Sequence, residues 1–185
     1  MRISKAQAQA NRDRVLAAAA EMFRAHGFEG VSVGELMSAA GFTHGGFYNH
    51  FGSKEALAAE ALSAAWTQME AERARAADLA QLLDGYLSPA ARGAPGRSCP
   101  AAALAGEVSR GPPAVRAAFA EGLERMIAEV EGGLSGESAE RRSRAVALVS
   151  GMVGALMLSR AVPEASPLAD ELLAATRREA KRALL

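Results

Sequence analysis

Apolar positions recur at helical spacing from near the start of the chain. Between 11 and 26, Val15, Ala19, Met22, Phe23 and His26 fall on one face, with His26 at the core edge, and Gly27 supplies a stop. Ser32-Val33-Gly34-Glu35 has the form of a capping box, a serine followed three residues later by a glutamate. Val33, Leu36, Met37 and Ala40 then form the apolar face of a short helix that ends at Gly41. A three-residue connection leads into a second short helix, His44-Gly-Gly-Phe-Tyr-Asn-His-Phe51, which stops at Gly52. Ser53 caps a long helix over about 54–80. The stretch 85–100, GYLSPAARGAPGRSCP, reads as a loop. A short helix starts at Pro100, and Gly111-Pro112-Pro113 breaks it. Val115, Phe119, Met126, Ile127 and Val130 form the stripe of the next helix, closed by Gly132-Gly133. Residues 138–161 make a strongly apolar helix that Pro163 ends, and Ser166-Pro167 opens the last one, over 166–184.

Composition supports this all-α reading. Half of the 185 residues are hydrophobic, with alanine prominent among them. Isoleucine occurs only at 3 and 127, and threonine only at 43, 67 and 176. So few β-branched residues favour helix over sheet. The formal net charge is zero, which argues against a broad, non-specific polyanion binder. A few well-placed cations suffice for a specific one, and the segment 1–54 holds Arg2, Lys5, Arg12, Arg14, Arg24, Lys54 and all three histidines. Cys99 is the only cysteine, so no disulfide framework is expected. The N-terminus lacks the apolar core of a signal peptide, and the apolar run 145–158 is short of the ~20 residues that span a bilayer. A cytoplasmic protein with no membrane role is expected. Helical-enzyme motifs are missing too: no His-Glu-x-x-His, no phosphate-cradling glycine loop, no nucleophile with an evident base. No catalytic residue, metal site or cofactor is expected.

Two short helices joined by a tight turn and braced by a longer first helix match helix-turn-helix geometry. There the second short helix enters the major groove of DNA. Thr43 is its N-cap residue, and His44, Gly45 and Gly46 fall in its first turn. Glycine in a helix interior costs roughly 1 kcal/mol against alanine. The cost is smaller in a first turn, and two missing side chains let the backbone approach base edges. Phe47 and Phe51 point to the core, while Tyr48, Asn49 and His50 face groove walls and phosphates, and Lys54 adds an ammonium nearby.

The run Thr43-His-Gly-Gly-Phe-Tyr-Asn-His-Phe51, followed by Ser53-Lys-Glu-Ala-Leu57, closely resembles the signature of the TetR family of bacterial one-component regulators. The resemblance covers 12–57, with only helical pattern and length in agreement beyond it. It implies an all-α fold with an N-terminal three-helix helix-turn-helix domain, 1–52, and a C-terminal bundle for ligand binding and dimerisation, 53–185, linked by helix 53–80. It implies that Ser32, Thr43, Tyr48, His50 and Lys54 contact phosphate and that His44, Gly45, Gly46 and Asn49 face bases. His44 and Gly46 depart from the family habit of lysine or arginine and serine or threonine at those places.

The expected function is a homodimeric repressor of a palindromic double-stranded DNA operator, released by a small apolar effector or by modification of Cys99. The alternative is a helical protein–protein interaction module without DNA binding. Small residues on 138–161 (Ser150, Gly151, Gly154, Ala155) permit close helix approach, and with 166–184 this helix is expected to form the dimer interface. Leu62, Trp66, Met69, Leu104, Val108, Phe119, Leu123, Met126 and Met152 are either effector-cavity lining or plain core. Cys99 precedes Pro100 at a helix N-terminus, where unpaired amides and Arg97 favour a thiolate. The surrounding RSCPAAALAGEV resembles a subgroup of the family with Gly-Cys-Pro or Gly-Cys-Leu in this place, some of whose members sense electrophiles through that cysteine. The other reading of Cys99 is a small buried hydrophobe.

Overall fold

The structure, a computed structural model, describes residues 4–184; Arg2, expected among the N-terminal cations, lies outside them. All regular elements among the described residues are helical. Helix α1 (Lys5–His26) starts at Ser4, whose hydroxyl accepts from the Gln7 amide at 3.1 Å. It ends at Gly27, whose φ of 79° lies in the left-handed region that glycine enters without strain. Val15, Ala19 and Phe23 are buried as expected, whereas His26 is exposed rather than at the core edge. Helix α2 (Val33–Ala39) is followed by the recognition segment His44–Asn49, which is a 3₁₀ helix rather than an α-helix. Two glycines in six residues, with the chain turning again at Gly52, leave too little length for α-helical propagation.

The long helix expected over 54–80 is two helices. Helix α3 (Lys54–Arg73) gives way to a turn, and α4 (Leu79–Tyr86) begins after Asp78, whose carboxylate accepts from the Gln81 amide at 2.8 Å. The cap competes with continued helix and wins, because it satisfies an amide that a new helix otherwise leaves open. The stretch expected as loop is also more ordered. Ser88 caps the short α5 (Pro89–Gly93), and Pro95–Arg97 forms a 3₁₀ turn. Helix α6 (Pro100–Val108) starts at Pro100, α7 (Pro113–Gly132) at the second of two prolines, and α9 (Pro167–Arg182) again at a proline. Helix α8 (Ser138–Ala161) fills the apolar run between them.

Packing is concentrated where α3 crosses α7, where α1 lies on α3, and where α8 pairs with α9 and α7. The fully buried Trp66 and Met126 sit at the α3–α7 contact. One continuous core runs from Phe23, Leu36 and Phe47 near the N-terminal helices to Met152 and Leu156 in α8. Helix α8 is long and apolar enough to cross a membrane, but it packs among α5, α6, α7 and α9 as a helix of that body.

Candidate nucleic-acid interface and effector cavity

The recognition segment is fixed by its two phenylalanines. Phe47 and Phe51 are buried with ring centroids 5.7 Å apart, and Tyr48 sets its ring edge-on to Phe47 at 5.2 Å. Arg12 of α1 holds the segment's end: its guanidinium lies 4.7 Å over the Phe51 ring, donates to the His50 carbonyl at 3.4 Å and pairs with Glu60 of α3 at 2.5 Å. Arg14 covers Phe42 at 4.9 Å beside Gly41, which has a φ of 79°. With the apolar side anchored, the opposite side faces outward. Thr43, His44, Gly45, Tyr48 and Asn49 are exposed, and Gly46, His50 and Lys54 are half-buried. Tyr48 is 71 % exposed, unusual for a large aromatic ring.

The two glycines have no internal packing role. A Cβ at Gly45 meets nothing within 4 Å, and one at Gly46 meets only the Met37 methyl at 3.5 Å. Their missing side chains leave room on the outside of the molecule. Thr43 occupies the N-cap position with extended backbone, but its hydroxyl makes no capping bond. Ser32 does cap: its hydroxyl accepts from the Glu35 amide at 3.2 Å and donates to the Glu35 carboxylate at 2.7 Å. Those Ser32 contacts hold the Glu35 carboxyl below its ordinary pKa.

A cavity of about 430 Å³ lies between α3, α4, α5 and the start of α6. Of the residues expected to line an effector site, Met69 alone is on its wall. Leu62, Trp66, Leu104, Val108, Met126 and Met152 are buried in the core, and Phe119 and Leu123 pack half-buried against it, with Phe119 edge-on to Trp66 at 6.0 Å. The cavity sits at the α3–α4 break and against α5, away from the α6, α7 and α8 residues of the expected set. Its other walls include Arg73, Tyr86 and Leu156, and Cys99, which is 1 % exposed. Arg97 also borders the cavity but pairs with Glu21 at 3.3 Å on the outside. Burial, and secondarily the adjoining Cys99, pushes the Tyr86 phenol well above its ordinary pKa. Arg73 and Tyr86 were hidden in the sequence, the first at the end of an alanine-rich helix and the second in apparent loop.

Both ends of α6 are tied to the N-terminal helices. At its start, the buried Arg24 of α1 donates to the Ser98 carbonyl at 3.1 Å and to Gln68 of α3 at 2.9 Å. Burial lowers the Arg24 pKa. At its other end, the Glu107 carboxylate accepts from the Phe28 amide at 2.8 Å. Gly27 makes that approach possible, since a Cβ there would stand 2.2 Å from the Glu107 carboxylate. Helices α8 and α9 present Val146, Leu158 and Leu168 to solvent, and Leu158 is 55 % exposed. A groove between these helices runs past Leu148, Gly151 and Ala180.

Residues 15–61 match the family model described as bacterial regulatory proteins, tetR family. An uncharacterised helix-turn-helix-type transcriptional regulator of Bacillus subtilis, YdgC, is 42 % identical over 59 residues. That stretch is 32 % of this chain and spans 30 % of YdgC's length. The likeness in fold extends over the whole chain. The reduced form of Escherichia coli NemR superposes with a TM-score of 0.77 at 21 % identity, over 95 % of this chain and 97 % of that one. A TetR-family regulator from Cytophaga hutchinsonii gives 0.78 at 18 % identity, over 100 % and 99 %. Residues 15–61 thus carry the helix-turn-helix signature of the tetR family of bacterial regulatory proteins, and the chain as a whole shares the fold of these solved regulators.

Proposed function

We propose that the protein is a cytoplasmic, homodimeric repressor that binds a palindromic operator in double-stranded DNA and leaves it when a small molecule occupies the cavity. The observation that carries this reading is the outward face of the recognition segment, rigidly backed by Phe47 and Phe51 and bearing two glycines without an internal packing reason. Residues 1–52 act as the DNA-binding unit and 53–185 as the dimerisation and effector unit. Thr43, Tyr48, His50 and Lys54 contact phosphates, and Ser32 does so from the cap it already forms. His44, Gly45, Gly46 and Asn49 face bases. Two copies join through α8 and α9, burying Leu158 and Val146, and set the two recognition segments about one DNA turn, roughly 34 Å, apart.

The effector acts only through different affinities for the two states. It meets the start of α6 on the cavity wall, and α6 carries the change to α1 through the Arg24–Ser98 and Glu107–Phe28 contacts. Modification of Cys99 is a second trigger, supported by the thiol's place on the same wall. Selection of bound duplexes from a random pool tests the reading. One enriched palindrome is expected, and it must release on effector binding. A folded dimer that enriches no sequence returns the protein to a helical interaction module.

A further inference from the structure

We propose that the cavity takes a mainly apolar molecule ending in a carboxylate, with the Arg73 guanidinium and the Tyr86 hydroxyl as its two polar anchors. This rests on the reading of the cavity as the effector site and adds the chemical class.

Arg73 is 7 % exposed, at the end of α3. Its Nε donates to Glu129 of α7 at 2.7 Å, which fixes the guanidinium plane. Its Nη1 and Nη2 are buried and have no hydrogen-bond partner among the described residues. The Tyr86 hydroxyl, in a residue also 7 % exposed, is in the same condition. Both side chains line the one cavity. Buried donors are ordinarily satisfied, and a charged one left open is costly. Here the two side chains that carry such donors border one space, whose other walls include Met69, Leu82 and Leu156 together with the polar Gln81, Arg97 and Ser98.

A carboxylate supplies what these groups lack. Its two oxygens match the fork of a guanidinium, and a free lone pair accepts from a phenol. Tyr86 remains a donor because burial keeps it protonated. An alcohol offers one oxygen to the fork, a primary amide adds N–H groups that find further donors, and an amine repels the guanidinium. Glu72 also borders the space, but it is exposed and accepts from Gln68 at 3.1 Å. The volume of about 430 Å³ suits a small ligand.

The test uses the full, reduced protein, with decanoate and 2-naphthoate set against decanol, decanamide and decylamine. Binding is read by calorimetry, and release of the selected duplex is read separately. The acids should bind at least about tenfold more tightly than their neutral partners. Tyr86→Phe should fold with little change in melting temperature, since the Cys99 thiol beside its hydroxyl is a weak partner, and bind the acids roughly tenfold more weakly. Arg73→Lys should narrow the preference of acid over alcohol, because an ammonium keeps the charge but loses the two-pronged fork. Equal binding of acid and alcohol, unchanged acid affinity in Tyr86→Phe, or no binding of either acid overturns the proposal. Acid binding that leaves the duplex bound supports the acid site and overturns the effector reading alone.

Discussion

Gly122 of α7 lies against the indole of Trp66, and a Cβ there would fall 2.1 Å from the ring. The ring is fully buried and has nowhere to move. Gly122→Ala should therefore destabilise by about 1–3 kcal/mol in urea unfolding. Gly106 of α6 is the opposite case, with nothing within 4 Å of a Cβ. Gly106→Ala should stabilise by about 0.5–1 kcal/mol. A result of one sign for both would break the packing account. Ser32 is a third residue-scale case: Ser32→Ala removes the α2 cap and should cost about 1 kcal/mol. Glu35 and Glu55 are both held below their ordinary pKa, chiefly by the Ser32 and Ser53 side chains. A carboxyl depressed on folding stabilises above its unfolded pKa and ceases to as pH falls through the folded one. The advantage of wild type over Glu35→Gln should thus be full at neutral pH and vanish in acid, read from urea midpoints.

Among the elements, α6 has the most to do. It borders the cavity at Cys99 and reaches the α1–α2 connection at Glu107. Glu107→Ala should leave effector binding intact while weakening effector-driven release of DNA. Paired calorimetry and anisotropy titrations measure the two, and unchanged release would remove α6 from the route. Ser88-Pro89, which opens α5, was lost in a glycine- and proline-rich stretch read as loop, but helix starts were legible at Ser32, Ser53, Pro100 and Pro167. The α3–α4 break was not, though Asp78 followed three residues later by Gln81 carries a start signal. Alanine on both sides let the helical period run through it. The 3₁₀ form of His44–Asn49 was hidden because the four-residue spacing of Phe47 and Phe51 reads as α-helical, although Phe51 lies beyond the segment's end. The outward residues of that segment were legible because the family signature fixes their order. The cavity was not, since it depends on an unsignalled break in one helix that turns Arg73 and Tyr86, on either side of it, toward the same space.

At the scale of the whole molecule, the exposed apolar face of α8 and α9 is the feature that a single chain leaves uncovered. Leu158→Glu should give monomers in sedimentation, with the fold retained because Leu158 is 55 % exposed in one chain. A dimer that persists would place the interface elsewhere. DNA affinity should fall with the dimer, because each half-site holds only one recognition segment. The central claim is that this segment reads bases in the major groove while its neighbours hold phosphates. The most direct test is anisotropy of wild type, Tyr48→Phe, Lys54→Ala and Gly45→Ser on the selected palindrome and on a shuffled duplex. Tyr48→Phe and Lys54→Ala should weaken binding to both duplexes by a similar factor. Gly45→Ser should change the ratio between them. If all three variants lose affinity equally on both duplexes, or none loses any, the assignment of the recognition face is wrong.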